Sequence, residues 1–378
     1  MTETHDSSIN AARLDTLRGR TQTMLDHVAR LVSIESPSHD LDATAACAQV
    51  TAGLITELLG GTATVGEGRA HVAWSGGGKP RVLLLGHVDT VWPLGTLARW
   101  PFSVADGRAT GPGVFDMKAG VVQGLHALTT LDDLEGVRLL LTTDEELGSL
   151  DSRELIETTA AACDAVLVLE PSADGALKTA RKGVSMYDVQ IRGRAAHAGL
   201  DPHLGVNALV ELAALVSTIV GFASEAEQTT VTPTVAAAGT TRNTVPERAN
   251  ILVDARAWTA AEQRRVDEQM RTLRPTLAGA SLELLGGINR PPMEPDASAR
   301  LFDMASRVAV GAGLPAPTSK AVGGGSDGNF TAALGMDTLD GLGAVGAGAH
   351  AEGEHIVVEA MAERATIVAG IVAHLLRA

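Results

Sequence analysis

Continuous apolar runs alternate with helical patterns through the first half of the chain. Strand-like runs cover 70–74, 81–85, 137–143 and 165–170. Apolar residues at helical spacing predict helices over 12–34, 42–59, 117–131 and 151–162. Three of the runs are apolar throughout, which is typical of parallel strands covered on both faces. The alternation predicts an α/β fold with a mixed, largely parallel sheet flanked by helices.

The pattern changes after residue 183. The segment VSMYDVQIRG alternates apolar and polar residues, as a half-exposed strand does. A helix, two strands, a helix and a last strand follow at about 203–222, 229–239, 249–258, 260–275 and 281–287. This βαββαβ order predicts a ferredoxin-like α+β module.

A proline-rich joint near 288–296 ends this module, and a helix predicted at 297–311 resumes the earlier pattern. We therefore expect an inserted domain at 183–292 within a large domain formed by 1–182 and 293–378. A chain of 378 residues is long enough for two such domains.

Composition excludes several classes of partner. The formal net charge of −15 repels nucleic acid and anionic lipid, and one Tyr and five Phe offer few rings for stacking on bases. Cys47 and Cys163 form no CxxC pair, so we expect two reduced thiols and no thiolate zinc site. We find neither a secretory signal nor an apolar run of the roughly 18 residues that a membrane span needs. The cytoplasm is the expected location.

Histidine and acidic residues follow the predicted strands, where the ligands of open α/β sheets gather. His87 ends the run RVLLLGH, and Asp89 stands two residues later, on the same side of an extended chain. His87 could bind a metal through one ring nitrogen while Asp89 holds the other N–H and fixes the tautomer. Asp116 stands between a glycine turn and a predicted helix start, where an ordinary helix N-cap is the alternative.

Three consecutive acids, Asp144, Glu145 and Glu146, follow the next apolar strand. Glu170 ends another such strand. Adjacent carboxylates repel one another unless a cation or a proton lies between them. A solvated acidic loop is the alternative, but the end of a very apolar strand is an unusual place for one.

A further group of candidates lies near the C-terminus, where HAEGEH supplies His350, Glu354 and His355. The spacing is not that of the HExxH helix of single-zinc proteases, and it leaves open which histidine is a ligand. All these segments offer oxygen and imidazole ligands but no thiolates, which suits hydrolytic zinc, cobalt or manganese. GGGKP at 76–80 lacks the features of a phosphate loop and is predicted to be a hairpin turn.

Eight segments, in their order and spacing, resemble those of the co-catalytic zinc peptidases and amidohydrolases. This family includes glutamate carboxypeptidase, acetylornithine deacetylase, succinyl-diaminopimelate desuccinylase and aminoacylase-1. The segments are GHVDTV, GPGVFDMKAG, TTDEELGS, LEPS, GRAAHAG, RNTVP, GGGSD and HAEGE. The resemblance covers nearly the whole chain. It implies a zinc-peptidase-like catalytic domain, an inserted lid and dimerisation domain, and two Zn²⁺ per subunit, for which Co²⁺ or Mn²⁺ can substitute.

The resemblance also implies how the metal ligands are shared. His87 and Glu170 would hold one zinc ion. Glu146 and His350 would hold the other, and Asp116 would bridge both. These assignments come from the matching motifs, and the residue types alone do not decide them.

The same resemblance assigns the residues around the ligands. Glu145 would be the general base, and Asp89 would orient His87. The family places its last ligand several residues before a Glu, which favours His350 over His355. A non-proline cis peptide bond after the bridging residue, here Asp116–Met117, is also expected.

Residues of the inserted domain take their roles from the resemblance as well. His197 in GRAAHAG resembles a lid histidine that is brought across a dimer interface and stabilises the oxyanion. Asn243 and Arg256 resemble a pair that binds the substrate carboxylate. Gly325 in GGGSD would supply a backbone N–H near the substrate. Without the resemblance, His197 and Arg256 would be ordinary surface residues.

The expected reaction is hydrolysis of an amide bond next to a carboxylate. Glu145 would take a proton from a water shared by two zinc ions and pass it to the departing amine. Glu170 followed by Pro-Ser is closest to the glutamate carboxypeptidase branch, so release of a C-terminal residue, glutamate first, is the leading expectation.

Other activities stay open on the sequence. An N-acyl amino acid deacylase, of the acetylornithine or succinyl-diaminopimelate type, is the main alternative. An aminopeptidase would need an acidic partner for a free α-amine, and a non-catalytic metal-binding dimerisation protein would have lost Glu145 or a ligand. The expected partners are a small-molecule or short-peptide substrate with a free carboxylate and a second copy of the chain in a homodimer.

Overall fold

The computed structural model describes the backbone of residues 2–377 and the side chains of residues 7–377. These residues form two units. The large unit comprises the residues up to Ala180, Glu294–Val322 and everything from Ser326 onward. The small unit comprises Arg181–Met293 and Gly323–Gly325.

Helices and strands are numbered in chain order. The helices are α1 (Thr2–Arg18), α2 (Thr21–Val32), α3 (Leu41–Leu59), α4 (Thr96–Arg99), α5 (Ala119–Leu128), α6 (Arg153–Ala161), α7 (Ala208–Val220), α8 (Ala260–Arg271), α9 (Ala299–Gly311), α10 (Gly328–Ala333) and α11 (Ala360–Arg377). The strands are β1 (Thr64–Val65), β2 (Val72–Ser75), β3 (Val82–His87), β4 (Ser103–Ala105), β5 (Arg108–Thr110), β6 (Val137–Thr142), β7 (Ala165–Val168), β8 (Leu177–Arg181), β9 (Gly183–Arg192), β10 (Thr230–Ala238), β11 (Arg248–Ala257), β12 (Ser281–Arg290), β13 (Ser319–Val322), β14 (Asp337–Leu339), β15 (Gly346–Ala347) and β16 (His355–Val357).

A six-stranded sheet in the order β1-β2-β6-β3-β7-β14 forms the centre of the large unit. The strands β6, β3, β7 and β14 are parallel, and β1 and β2 add an antiparallel edge. In β3, Leu84 packs with the helices on one face, whereas Leu83 and Leu85 pack with α6 and α10 on the other. Covered on both faces, this strand is apolar from Val82 to Gly86, and the predicted mixed, largely parallel sheet is confirmed.

Two local predictions for this unit are wrong. The helical pattern at 12–34 is interrupted, because α1 ends at Arg18 and α2 begins at Thr21. Gly19 lies in the break, as glycine often does where a helix ends. GGGKP at 76–80 is not a hairpin turn, because β2 and β3 lie on opposite sides of β6 and do not pair with each other.

The small unit has the order β9-α7-β10-β11-α8-β12, with an antiparallel sheet arranged β10-β11-β9-β12. This is the ferredoxin-like arrangement. Tyr187, Val189 and Ile191 of β9 point into a core with Leu215 of α7 and Val266 of α8. The alternate residues of β9 lie on the more exposed face. The alternation of apolar and polar residues in the sequence therefore reflects one buried and one exposed face of the strand.

Smaller sheets complete the fold. β15, β16, β5 and β4 form a four-stranded sheet in that order, and β13 pairs with β8. Within residues 2–377, no helix combines the length and the apolar character that a membrane crossing requires.

Candidate metal centre

Parallel strands bring the predicted ligands to one edge of the central sheet. His87 is the last residue of β3, and β3 runs parallel to β6 on one side and β7 on the other. The turn of 3₁₀ helix Glu145–Leu147 follows β6, and Glu170 lies two residues beyond β7. Since parallel strands end at the same edge, His87, Glu146 and Glu170 come together there.

Two loops supply the other members of the group. Asp116 lies in the irregular turn Val114–Lys118, just before α5, and the expected cis peptide bond Asp116–Met117 is confirmed. His350 has a positive φ of 61° in the turn before β16. A Cβ on Gly120 would lie 2.1 Å from the carbonyl oxygen of Leu169. Only glycine therefore lets α5 start this close to the chain that carries Glu170.

The five residues form two groups that share Asp116. In the first, His87 Nε2 lies 3.4 Å from Asp116 Oδ1 and 3.5 Å from Glu170 Oε1. In the second, His350 Nε2 lies 3.3 Å from Asp116 Oδ2 and 3.0 Å from Glu146 Oε1. Each oxygen of Asp116 thus belongs to a different group.

These residues fit metal ions. His87 Nε2 and Asp116 Oδ1 are buried and have no hydrogen-bond partner among the residues that the structure describes. Unpartnered buried polar atoms are costly, and a cation between them removes the cost. Ligands about 2.0–2.2 Å from a tetrahedral zinc ion are separated from one another by about 3.4 Å. The distances from His87 Nε2 to Asp116 and to Glu170, 3.4 and 3.5 Å, are close to that value.

The electrostatics of the metal-free protein follow from the same contacts. Asp116 and Glu146 raise the pKa of His350 to about 10, although burial opposes this. Burial lowers the pKa of His87, but Asp116, Asp89 and Glu170 outweigh it, so this pKa lies well above its usual value. Burial also raises the pKa of Asp116, but His350 and His87 more than offset this and hold it well below its usual range. Protons on the histidines therefore neutralise the carboxylates when no cation does.

Asp89 fixes the orientation of His87. The Nδ1 atom of His87 lies 3.1 Å from the backbone carbonyl of Asp89 and 3.4 Å from its carboxylate. Asp89 Oδ2 in turn accepts hydrogen bonds from Ser38 Oγ (2.7 Å) and from the backbone N–H of Glu146 (3.3 Å). With Nδ1 held in this way, Nε2 is the atom presented to Asp116 and Glu170.

The remaining candidates of the large unit, Glu145 and His355, lie outside the two ligand groups. Glu145 is buried next to Glu146 but belongs to neither ligand group. His355 is the first residue of β16, and its Nδ1 atom lies 3.0 Å from the carbonyl of Gly353. Of the two C-terminal histidines, the structure therefore brings His350 to the carboxylates and leaves His355 outside.

The sequence interpretation named Glu354 as a candidate without predicting its partners, and it missed Asp327 and Lys118. Glu354 accepts hydrogen bonds from backbone N–H groups around Asp116. Asp327 of GGGSD accepts hydrogen bonds from hydroxyls on both sides of the acidic run. The ammonium group of the buried Lys118 donates to the carbonyls of Leu31 and Ile34. A carboxylate or a lysine with this role carries no local signal, because its partners are backbone groups distant in the chain.

The other predicted site residues belong to the small unit. His197 is exposed, and its Nδ1 atom accepts hydrogen bonds from the backbone N–H groups of Gly199 (3.1 Å) and Leu200 (3.0 Å). The loop of Asn243 lies beside it, since the carbonyl of Asn243 accepts from the backbone N–H of Ala198 at 2.8 Å.

Arg256 and Gly325 each have a partner within the small unit. The guanidinium of Arg256 donates to both carboxylate oxygens of Asp254, with Nε–Oδ1 and Nη2–Oδ2 distances of 2.8 Å. The carbonyl of Gly325 accepts a hydrogen bond from Arg181 at 3.2 Å. Gly325 is therefore held through its carbonyl, and its predicted role as an N–H donor to substrate stays a prediction.

Known proteins are similar to this chain in sequence and in fold. The chain is 33% identical over 371 residues to Carboxypeptidase G2 from Pseudomonas sp. (strain RS-16), covering 92% of this chain and 88% of the relative. Its fold is similar to that of Sso-CP2, an M20 family metallo-carboxypeptidase from Sulfolobus solfataricus, with a TM-score of 0.74, 18% identity, and 92% and 98% of the two chains covered. It is also similar to the aminopeptidase PepT from Bacillus cereus ATCC 10987, with a TM-score of 0.70, 21% identity, and 94% and 99% coverage.

The family model described as Peptidase family M20/M25/M40 matches residues 83–374. This stretch includes every residue of the two ligand groups. The chain therefore belongs to peptidase family M20 and is a metal-dependent hydrolase, with two groups of nitrogen and oxygen ligands at the edge of an α/β sheet.

Proposed function

We propose that this hydrolase cleaves an amide bond beside a free carboxylate and releases a C-terminal amino acid, with glutamate the first candidate. The observation that carries the proposal is the sharing of Asp116 between two ligand groups, one containing His87 and the other His350. Similarity to a relative named Carboxypeptidase G2 along most of both chains supports the carboxypeptidase activity.

Two zinc ions are the proposed cofactors, with Co²⁺ or Mn²⁺ as possible substitutes. His87, Asp116 and Glu170 would hold one ion, and Asp116, Glu146 and His350 would hold the other. Bound at these positions, the ions would polarise the scissile carbonyl and make water a stronger acid. The nitrogen and oxygen donors and the absence of cysteine from both groups support this choice of metals.

Glu145 is the proposed general base. It follows β6 directly before the ligand Glu146, and it is 9% exposed. A carboxylate next to the ligands but outside both groups can take a proton from the attacking water and deliver it to the departing amine. Glu146 cannot do this, because its Oε1 atom faces His350 at 3.0 Å.

His197 is the proposed oxyanion donor, contributed by a partner subunit. Its Nδ1 atom accepts two backbone hydrogen bonds, so in the neutral ring the proton must be on Nε2. A fixed tautomer with an outward N–H is the form that a donor to a developing oxyanion needs.

Arg256, with Asn243, is proposed to bind the substrate carboxylate. The guanidinium already holds the carboxylate of Asp254 in a two-pronged contact, which is the geometry a substrate carboxylate would use. The side chains of Asp254 and Arg256 are 33% and 31% exposed, so a substrate carboxylate can reach Arg256 and replace that of Asp254. Removing Asp254 should therefore lower KM for acidic substrates.

The small unit is the proposed dimer interface. Its edge strand β10 pairs with β11 on one side only, and Val235 on it is 53% exposed. On α7, Leu209 and Val210 are 48% and 51% exposed. An open strand edge beside exposed apolar side chains favours pairing with a second copy. The cytoplasm stays the proposed location, because Cys47 and Cys163 are free thiols, which are the rule there.

A paired substrate panel tests the activity. Zinc- or cobalt-loaded protein is incubated with an acyl-glutamate and a dipeptide ending in Glu, beside N-acetylornithine and N-succinyl-diaminopimelate. The same dipeptide with its C-terminal carboxylate amidated reports whether a free carboxylate is needed. A chelated sample and the Glu145→Gln variant serve as controls for metal and base.

Chelator-sensitive release of glutamate from the first two substrates, and none from the amidated dipeptide, is the expected result. Turnover of only the acylated diamino acids would make the protein an N-acyl amino acid deacylase. Equal hydrolysis of the amidated dipeptide would contradict carboxylate recognition. A tripeptide ending in Glu reports the direction of cleavage, and release of its N-terminal residue first would contradict the carboxypeptidase activity.

A further inference from the structure

Glu354 is a fully buried carboxylate that belongs to neither ligand group. Its Oε1 atom accepts hydrogen bonds from the backbone N–H groups of Phe115 (2.8 Å) and Asp116 (2.9 Å). Its Oε2 atom accepts from the backbone N–H of Gly113 (3.1 Å) and from the indole N–H of Trp92 (2.9 Å). Burial raises the pKa of Glu354, and the four N–H donors offset part of that cost and give both oxygens partners without a cation. What it does is hold the chain at residues 113–116.

The location of these donors matters because Asp116 is the shared residue of both ligand groups. The backbone N–H of Asp116 donates to Glu354, while its side-chain oxygens lie 3.4 Å from His87 and 3.3 Å from His350. Fixing the amide fixes the direction in which the side chain leaves the backbone. Glu354 therefore holds the stretch of backbone from which the side chain of Asp116 extends.

Glu354 also belongs to the turn that carries His350. The backbone N–H of Glu354 donates to the carbonyl of Ala351 (3.1 Å), and that of Ala351 donates to Gly348 (2.9 Å). This turn contacts the Asp116 segment twice, through His350 at the carboxylate and through Glu354 at the backbone. Because the side chain of His350 is 51% exposed, packing around the ring does little to hold it.

We propose that Glu354 is a positioning residue of the metal centre, which locks the shared ligand Asp116 against the turn that carries His350. Loss of this contact weakens metal binding itself, beyond any effect on the fold. The inference rests on the proposed metal centre, and it does not depend on which substrate is cleaved.

Glu354→Gln is the direct test. Whichever way the amide is turned, its NH₂ group faces two N–H donors, so one pair of hydrogen bonds is lost while shape and size are kept. Losing a residue that supports metal ligands weakens metal affinity by roughly 10–100-fold. We expect a loss of this size for Co²⁺, measured by competition with a chelator, and a changed Co²⁺ absorption spectrum. In the metal-saturated variant, kcat should fall more than KM changes.

Glu211 provides a matched control in the small unit. It is also fully buried, and its carboxylate accepts from the backbone N–H groups of Thr276 (2.8 Å) and Leu277 (2.7 Å) and from the hydroxyl of Thr276 (2.9 Å). Glu211→Gln should lower the melting temperature, as Glu354→Gln also should. It should leave the affinity and the absorption spectrum of bound Co²⁺ unchanged.

A second variant keeps the test decisive if Glu354→Gln does not fold. Trp92→Phe removes one donor from Glu354 and leaves the three backbone donors in place, so it should weaken Co²⁺ binding in the same direction but less. Unchanged Co²⁺ affinity and spectrum in whichever of these variants folds would overturn the proposal and leave Glu354 a fold-stabilising residue like Glu211.

The experiments distinguish failure of the proposed function from failure of the proposed role of Glu354. If the native protein binds two Co²⁺ ions but hydrolyses nothing in the substrate panel, the proposed substrates are wrong, and the comparison of Co²⁺ affinities still decides the role of Glu354. If the native protein binds no Co²⁺, the metal centre and the role of Glu354 are both overturned.

Discussion

Two sets of buried carboxylates lie at the same edge of the central sheet, and they differ in their hydrogen-bond donors. In the metal centre, Asp116 Oδ1 is buried with no partner among the described residues, and Asp116 Oδ2 and Glu146 Oε1 face His350. Close by, Asp144 and Asp327 are 1% and 2% exposed, and each accepts hydrogen bonds from hydroxyl or N–H groups. All four are carboxylates with side chains at most 14% exposed, and the supply of donors separates a cation site from a structural contact.

The acidic run after β6 contains both cases within three residues. Asp144 accepts from the backbone N–H groups of Asp151 (2.9 Å) and Ser152 (3.2 Å) and from the hydroxyl of Ser152 (2.5 Å), just before α6. Glu146 joins a ligand group, and Glu145 joins neither. Three adjacent acids thus carry a structural contact, a proposed base and a proposed ligand. We use substitutions in the two sets to test this distinction.

The largest expected difference is between Asp116→Ala and Asp144→Ala. Loss of Asp116 removes one ligand from each group, so metal content should fall at both positions and hydrolysis should fall to the uncatalysed background. Loss of Asp144 leaves buried N–H and hydroxyl groups unpartnered, at a cost of about 1–3 kcal/mol in the free energy of unfolding. Metal content should stay at the native value, which elemental analysis of the dialysed proteins can check. Loss of metal in Asp144→Ala would break the distinction between the two sets.

Glu145→Gln should give the next largest effect. Removal of a general base lowers kcat on the order of 10²–10⁴-fold, and Glu145 belongs to neither ligand group, so both metal ions should stay bound. Steady-state kinetics on the same sample used for metal analysis would check both statements. Near-native kcat would move the role of base to another residue, and loss of metal would make Glu145 a ligand.

The sequence predicted at which edge of the sheet the candidate ligands lie, but it did not predict which carboxylates receive hydrogen bonds. Apolar runs such as 81–85 locate the parallel strands, because a strand buried on both faces needs apolar residues throughout. The residues that follow these strands then share one edge. The motifs identified which of them resemble ligands, and the structure brings those residues together.

The assignments within that edge needed three-dimensional information. Nothing in the order Asp144, Glu145, Glu146 shows that only the first faces the N–H groups of Asp151 and Ser152. Glu354 is four residues from His350 in the chain, yet its partners are more than 200 residues away. Such contacts depend on the meeting of distant loops, which no local pattern records.

Asp327 offers a smaller effect that sharpens the comparison. Its carboxylate accepts from the hydroxyls of Thr142 and Ser149, one on each side of Glu145 and Glu146. Asp327→Ala should lower the free energy of unfolding by about 1–3 kcal/mol, because both hydroxyls lose a buried partner. Since the loop of the base is then less well held, kcat should fall by about tenfold, with metal content unchanged. Urea unfolding and kinetics on one preparation would separate the two effects.

Ser149→Ala is the control for Asp327→Ala, because it removes one of the two hydroxyls and keeps the carboxylate. Its effects on unfolding and on kcat should have the same sign and be smaller. A native kcat in Asp327→Ala, together with the expected loss of stability, would show that the hydroxyl contacts hold the fold and not the position of Glu145.

The smallest expected effect is a pH dependence confined to the metal-free protein. The pKa of His350, raised to about 10 by Asp116 and Glu146, is higher in the folded chain than the value of about 6.5 expected when unfolded. The folded state then binds the proton more tightly, so this contribution to stability is fully present below about pH 6.5 and is lost as the pH rises through about 10. In chelated protein the urea midpoint should fall from pH 7 to 10, and the fall should be smaller in His350→Gln. His355→Gln should behave as the native chain does, because His355 lies outside the carboxylate groups. An equal slope in His350→Gln would mean that Asp116 and Glu146 are not balanced by this histidine when metal is absent.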